Sequence, residues 1–483
     1  MSWADIYPWR GPQAGEPVIR QIYDQVRGAI VQSALKPGER LPSSRDFARR
    51  LGVARASVVA AYDLLLAEGY AVGRPGSGTY VSGDLSGVAE LKPAAPAAHE
   101  PALLPPRVRE LDEAALPTPQ AEQRLFTSGR TLLDARAQDA WSRSTRRALR
   151  HLDPVHFGYS DPRGDRELRA AISDYLRAAR GVICEPDQVI VTAGAQHAVD
   201  IAARVLLKEG DRVWMEDPGY PATRHALAAM GADIFHAPVD RHGIVVAAGV
   251  EAAPDARVAF VTPSHQYPLG MTLSMGRRME LLAWARAAGA WIVEDDYASE
   301  FRYSGPPLES LQGLDGGERV IYVGTLNKAL FPGLRMGYMV APKPLAAALA
   351  NARQLMDRQP PTLTQAIVLD FFREGYFAAH IRRRRLAYKA QRDALAGALE
   401  AQLGHLLEVD VPDQGMTLIA YLKGSGSDLE VEAAAAAGGV SVRAISRLYR
   451  QAPPRQGLML GFSGFPERMM APGVTRLARA LAV

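Results

Sequence analysis

The sequence predicts an α/β protein: a small winged helix-turn-helix domain linked to a large sheet-and-crossover-helix region. Three observations predict it. Short apolar runs alternate with helical periodicity from residue 123 to 483, a helix, helix, helix, hairpin pattern fills residues 15–82, and a stretch rich in proline and alanine, 83–122, separates the two. At 483 residues the chain is too long for one core, which agrees with such a division.

In the front module, Ile19, Ile22, Tyr23, Val26 and Ile30 recur at helical spacing before the stop signal Lys36, Pro37, Gly38. Pro42, Ser43 and Ser44 open a second helix through Phe47, Ala48 and Leu51, and Gly52 ends it. A turn over Val53 to Ala56 leads into a third helix beginning at Ser57, whose front end is polar and basic. Two helices joined by so short a glycine-bearing turn read as helix-turn-helix. Gly69 to Val81 then gives two short strands around a tip of Arg74, Pro75, Gly76, Ser77, Gly78 and Thr79, the form of a wing. Residues 1–83 hold 10 Lys/Arg against 7 Asp/Glu, so +3 of the chain's formal +4 lies here. Arg45, Arg55 and Ser57 are candidates for phosphates or base edges, and Arg74, Gly76, Ser77 and Thr79 for the minor groove of double-stranded DNA.

Residues 83–122 carry Pro93, Pro96, Pro101, Pro105, Pro106, Pro117 and Pro119 with little periodicity and read as a linker, spanning about 35 Å as a coil. Beyond it, strands are expected at Val189–Thr192, Arg212–Glu216, Ala232–His236, Val258–Thr262, Trp291–Glu294 and Val320–Val323. Ala195–Glu209 and Gly276–Ala288 are expected as connecting helices.

The chemistry gathers at the ends of these strands. One ends in Glu294, Asp295, Asp296 and Tyr297, and another leads into Thr325, Leu326, Asn327 and Lys328, with Arg335 close behind. Parallel strands thus bring a carboxylate and an amine to one sheet edge. An amine for a Schiff base, a carboxylate for a pyridinium nitrogen and a cation for a phosphate are what pyridoxal 5′-phosphate asks of a protein, and Lys328, Asp295 and Arg335 supply them. Ala193, Gly194, Ala195 and Gln196 end another strand at a helix N-terminus, where exposed amides form a phosphate cup. Tyr220, after Pro218 and Gly219, can stack on a planar cofactor, and Tyr297 can offer its phenol to a ring oxygen.

On these residues, 123–483 resembles the fold type I, class I aminotransferases that bind pyridoxal phosphate, and 15–82 resembles the winged helix of GntR-type repressors. Joined by a linker, the two resemble MocR-type transcriptional regulators over nearly the whole chain. The resemblance implies that Lys328 is the Schiff-base lysine, Asp295 the pyridine-nitrogen partner, Tyr297 the ring-oxygen partner and Tyr220 the stacking ring. It implies phosphate contacts from Ala195, Gln196, Thr325 and Arg335. It also implies that Tyr159, in the segment Phe157 to Gly164, reaches the phosphate of a neighbouring subunit in a head-to-tail homodimer.

Two departures from the enzymes bear on function. Their Asn-Pro-x-Gly turn is replaced by Tyr267, Pro268, Leu269 and Gly270 after Ser264, His265 and Gln266, the Ser-His-Gln form of MocR-type regulators. This leaves open whether His265 or Gln266 takes over a cofactor contact. The arginine that pairs with a substrate carboxylate aligns with Met459, and Arg447, Arg450 or Arg455 is left to supply the charge. The expectation is a pyridoxal-phosphate-dependent, DNA-binding regulator whose effector is the cofactor itself or an amino acid or amine. The alternative is a working aminotransferase with an appended DNA-binding module. The basic run Arg382 to Arg385 reads as a solvated face or subunit contact, with DNA as a second reading.

Composition agrees with these expectations. One cysteine, Cys184, excludes an internal disulfide framework and a four-cysteine zinc site, so no metal is expected. The lack of a long apolar run or a leader-like start predicts a soluble, cytoplasmic protein.

Overall fold

The computed structural model describes residues 12, 15–84, 124–131 and 133–481, so the linker expected over 83–122 lies almost wholly outside the described residues. The chain divides into two units, Met1–Arg109 and Glu110–Val483.

The first unit holds helices Val18–Val31, Ser44–Leu51 and Arg55–Ala67, then strands β1 (Ala71–Arg74) and β2 (Gly78–Val81) paired antiparallel. Ser43 caps the second helix, its side chain accepting from the Asp46 amide at 3.1 Å, and Gly52 ends it in the left-handed conformation. Ile22, Tyr23, Val26 and Ile30 pack with Phe47, Leu51, Val58 and Leu65, burying one face of each helix, while Ile19 stays 36% exposed at the margin. The third helix starts two residues earlier than its apolar run suggests. Ala54 is its cap and Arg55 its first residue, because nothing in Arg55 and Ala56 opposes helical geometry.

In the second unit one eight-stranded sheet runs in the order β3-β10-β9-β8-β7-β4-β5-β6. Its strands are β3 (Val189–Thr192), β4 (Arg212–Asp217), β5 (Asp233–Asp240), β6 (Gly243–Ile244), β7 (Val258–Val261), β8 (Trp291–Asp296), β9 (Val320–Thr325) and β10 (Gly337–Val340). From β5 through β4, β7, β8 and β9 the pairing is parallel, as alternation with helices predicts. The helices expected at Ala195–Glu209 and Gly276–Ala288 run over Ala195–Leu206 and Met275–Ala288. β10 has no counterpart in the sequence reading. It is a buried four-residue run set antiparallel between β3 and β9, too short and uniform to show a period. Gly324 is required where it packs, because a Cβ there would overlap the ring of Tyr338.

A second, antiparallel sheet of order β11-β12-β14-β13 comprises β11 (Leu407–Asp410), β12 (Thr417–Leu422), β13 (Arg443–Ala444) and β14 (Gly457–Gly461). It follows the long helix Tyr376–Leu403. No helix among the described residues is long and apolar enough to cross a membrane.

Candidate functional site

β8 and β9 are parallel neighbours in a register that pairs Asp295 with Val323 and Asp296 with Gly324. Strand alternation then sends neighbouring carboxylates to opposite faces. Asp295 lines a cavity of about 290 Å3. Asp296 points the other way, accepting from Arg180 Nε at 2.8 Å and from the Tyr322 hydroxyl at 2.5 Å. Glu294 accepts from the amides of Leu311 and Gln312, each at 3.0 Å.

The same cavity is lined by Lys328, Tyr297, Tyr220, Ala195, Gln196, Thr325 and Arg335. The structure thus brings together eight of the nine residues assigned to the cofactor, Asp295 included. Tyr159 is the exception. It is 76% exposed, its ring lies 3.9 Å from the Arg358 guanidinium carbon, and it does not line this cavity.

Lys328 sits on a single helical turn, Leu326–Ala329, directly after β9. Thr325 caps that turn by accepting from the Asn327 amide at 3.2 Å. Asn327 ties three pieces of the site together: its Nδ2 donates to the Ala193 carbonyl at 3.4 Å, and its Oδ1 accepts from the Met336 amide at 2.8 Å, next to Arg335. Arg335 has φ 50°, a left-handed conformation uncommon for a side chain that lacks a local hydrogen bond to favour it. Gly129 crosses Lys328 so closely that a Cβ there would overlap Nζ.

The electrostatics of Asp295 set the cavity's character. Its carboxyl is pushed up to about 7, first by burial and then by the neighbouring charges of Asp296 and Glu216. Its Oδ1 is fully shielded and has no hydrogen-bond partner among the described residues. A shielded carboxylate oxygen with nothing to accept calls for a charged donor from a ligand. The helix Ala195–Leu206 begins at Gly194 with no side-chain cap, so its first amides face the cavity beside Thr325 and Arg335. A ring nitrogen at Asp295 and a phosphate at the helix end fit pyridoxal phosphate.

Neither His265 nor Gln266 lines the cavity. Gln266 Nε2 donates to the Pro218 carbonyl at 2.8 Å and to Glu216 at 3.4 Å, while His265, with its pKa pushed down to about 4 by burial, shares a hydrogen bond with the Gly270 carbonyl at 3.1 Å. Both brace the turn. The residue of that turn that enters the cavity is Tyr267, which meets Tyr220 edge to face at 5.1 Å.

Arg447 pairs with Glu432 at 2.7 Å, Arg455 stacks on Tyr421 at 3.6 Å, and the amide of Arg450 donates to Asp217 at 2.8 Å. None of the three lines the cavity, but Arg443 does. It lies on β13 directly opposite Met459 on β14. No apolar pattern marks a strand of two residues, so its placement was not readable beforehand.

The run at Arg382 is mostly committed inside its own unit. Arg383 and Arg384 both pair with Asp134, at 3.1 and 2.9 Å, and Arg385 donates to the Glu300 carbonyl at 3.1 Å. Arg383 and Arg384 are half-buried in this brace, while Arg382 and Arg385 stay exposed.

In the first unit Arg45, Arg55, Arg74 and Gly76 are exposed, and Ser57, Ser77 and Thr79 are half-buried. Arg55 donates to Ser44 Oγ at 3.3 Å, which joins the front of the third helix to the start of the second. Arg74 lies over the Tyr80 ring at 4.5 Å, and Ser77 shares a hydrogen bond with the Tyr80 hydroxyl at 2.6 Å, so the wing tip has a defined shape.

Comparison with known proteins agrees with both units. Residues 125–452 match the family model "Aminotransferase class I and II", and residues 18–81 match "Bacterial regulatory proteins, gntR family". The chain is 39% identical to the probable rhizopine catabolism regulatory protein MocR of Rhizobium meliloti, over 97% of this chain and 94% of that protein. It is 33% identical to the pyridoxine biosynthesis transcriptional regulator PdxR of Corynebacterium glutamicum, over 96% of each. Among solved structures, the kynurenine aminotransferase of Pyrococcus horikoshii, crystallised with pyridoxamine phosphate and kynurenine, superposes with a TM-score of 0.69 at 26% identity, covering 79% of this chain and 95% of that one.

Proposed function

Because this chain belongs to the MocR-type transcriptional regulators, in which a gntR-family DNA-binding module precedes an aminotransferase class I and II domain, we propose that it regulates transcription through pyridoxal phosphate and an effector bound at Lys328. The observation that carries this reading is the unpartnered oxygen of Asp295 in the cavity that Lys328, Thr325 and Arg335 also line.

When bound, pyridoxal phosphate supplies an aldehyde that condenses with primary amines. Around it, Asp295 holds a proton at the pyridine nitrogen, and that positive charge offsets the cost of its own burial. Ala195, Gln196, Thr325 and Arg335 bind the phosphate, Tyr220 stacks on the ring, and Tyr297 donates its phenol hydrogen to the ring oxygen. Lys328 presents the amine that anchors the cofactor. Tyr159, exposed in one chain, reaches the phosphate of a second subunit in a head-to-tail homodimer.

The domain assignment belongs to the same proposal: 15–82 binds DNA, 83–122 links, and 123–483 binds cofactor, effector and the second subunit. Arg45, Arg55 and Ser57 meet phosphates or base edges, and Arg74, Gly76, Ser77 and Thr79 enter the minor groove. Regulation requires an effector, pyridoxal phosphate or an amino acid or amine, that binds two arrangements of the dimer with different affinity. The setting is the cytoplasm.

Mapping the DNA protected beside the protein's own gene, with and without pyridoxal phosphate, tests this reading. The Arg55→Ala variant should weaken protection and lower the salt slope of binding by about one. A protein that protects no DNA at low salt, with or without cofactor, overturns the regulator reading.

One observation favours the second reading, a working aminotransferase: Arg443 supplies the cavity with a cation of the kind that substrate carboxylates require. Turnover of an amino acid and a keto acid at an ordinary rate of roughly 1 to 1,000 per second would establish it.

A further inference from the structure

The third helix of the first unit, Arg55–Ala67, is sparsely charged for an element that meets DNA. Its residues include one cation, Arg55, and one anion, Asp63. In the proposed function, on which this inference rests, it is the second helix of the helix-turn-helix, the one that lies in the major groove with its front end against base edges. What that front end can read follows from its side chains.

Burial sorts the first turns by side. Val58, Ala61, Tyr62 and Leu65 pack into the core of the unit. Arg55, Ala56 and Val59 share an arc of about 100° turned away from it, and all three are exposed, Val59 by 38%. Ser57, the hydroxyl of the first turn, is half-buried and falls outside that arc. Arg55 is itself tethered, its Nε donating to Ser44 Oγ at 3.3 Å. The exposed arc therefore offers one guanidinium and two apolar groups, the Ala56 methyl and the Val59 isopropyl. A turn beyond Val59 stands Asp63, exposed, which phosphates repel.

Base edges in the major groove present hydrogen-bond donors and acceptors and a single apolar group, the C5-methyl of thymine. Alanine and valine side chains cannot pair with the polar groups, and pressed against them they would leave those groups dehydrated and unpaired. Against thymine methyls they remove apolar surface from water on both sides.

We propose that Ala56 and Val59 read thymine methyl groups, and that Val59 is a specificity-determining residue of DNA recognition by this protein. The operator half-sites then carry an A·T pair where the front of the helix enters the major groove.

The test uses the full-length protein and the DNA fragment that it protects beside its own gene, made once with thymidine and once with deoxyuridine throughout. Deoxyuridine lacks only the C5-methyl, which lies in the major groove, so the minor-groove pattern open to the wing is unchanged. At one fixed salt concentration, wild-type binding should weaken about 15-fold on deoxyuridine, roughly fourfold for one buried methyl in each of two half-sites. Val59→Ala should bind the thymidine fragment more weakly and shrink the difference between fragments to about fourfold or less, while Val59→Thr, which keeps one methyl, should retain more of it. Both substitutions fall at an exposed position and spare the core. Leu66→Ala, at a similarly exposed position about two turns further along the helix, should leave the full difference in place. Equal affinity of the wild type for the two fragments overturns the methyl reading. So does an equal loss on deoxyuridine in the wild type and Val59→Ala, which would assign the effect to DNA shape, or an equal shrinkage in Leu66→Ala. A wild type that protects no DNA at low salt instead sinks the regulator reading beneath the proposal, so the two failures are distinguishable.

Discussion

The cavity has two walls with different histories of legibility. The eight-stranded sheet contributes Asp295, Thr325 and Lys328 from the ends of β8 and β9, and the four-stranded sheet contributes Thr417 from β12 and Arg443 from β13. The first wall holds a carboxylate in need of a donor, and the second a guanidinium in need of an acceptor. The difference teaches that the first sheet carries the groups that fit a cofactor, while the second closes the same cavity with groups the cofactor does not need.

The sharpest way to break this comparison is at Lys328. Lys328→Ala should abolish the absorption band of lysine-bound pyridoxal phosphate completely, whatever the ligand. An unchanged band would show that the first wall is not a cofactor wall.

The cofactor wall was readable because its residues sit where apolar runs stop. The runs ending at Val293 and Val323 locate strands, and a carboxylate, a phenol and a lysine placed just after them fall at one edge by parallel pairing. Even so, β8 and β9 extend to Asp296 and Thr325, because neighbouring backbone carries the pairing past the last apolar side chain. The second wall was not readable. β13 spans two residues, and alignment along β14 pointed to Met459 while the charge stood across the pair on Arg443. Arg180 was hidden for another reason: it looks like an ordinary helix-terminal arginine, yet it is buried with Asp296 at 2.8 Å and Ser264 at 2.6 Å. In the first unit the helix-turn-helix was legible from its caps, whereas the base edges that its arginines read are set by DNA and not by the fold.

A smaller effect is expected at Asp295. Asp295→Asn keeps the shape but gives up the charge that holds a proton on the ring nitrogen. Cofactor affinity should fall about 10- to 100-fold, read from titration of the apo protein with pyridoxal phosphate. A loss under twofold would mean that Asp295 is buried for structural reasons and that the first wall has no special donor to receive.

The smallest expected effect is on the stability of the apo protein, and its sign follows from the same wall. Burial pushes Asp295, Glu216, Glu294 and Glu300 up to about 7, from ordinary values of 3.8 for the aspartate and 4.5 for the glutamates. Between those limits the folded chain holds protons that the unfolded chain has lost, so stability falls as pH rises through the window and its full value is present only below it. Depressed carboxylates such as Asp161 and Asp370, held down by Arg163 and Arg147, act in the opposite sense but only at lower pH. The buried histidines His265 and His380, pushed down to about 4, act in the opposite sense up to their ordinary value of 6.5, so urea midpoints of the apo protein should decline above pH 6.5, where only the raised carboxyls still titrate. Asp295→Asn should remove about 1 kcal/mol of that decline, since the other groups largely cancel in the difference. Pyridoxal phosphate should flatten it too, because a pyridinium proton lets Asp295 ionise without the desolvation cost. A decline that neither the substitution nor the cofactor alters would place the proton uptake on Glu216, Glu294 and Glu300 alone, behind the first wall, and would leave Asp295 charged and solvated in the folded apo state.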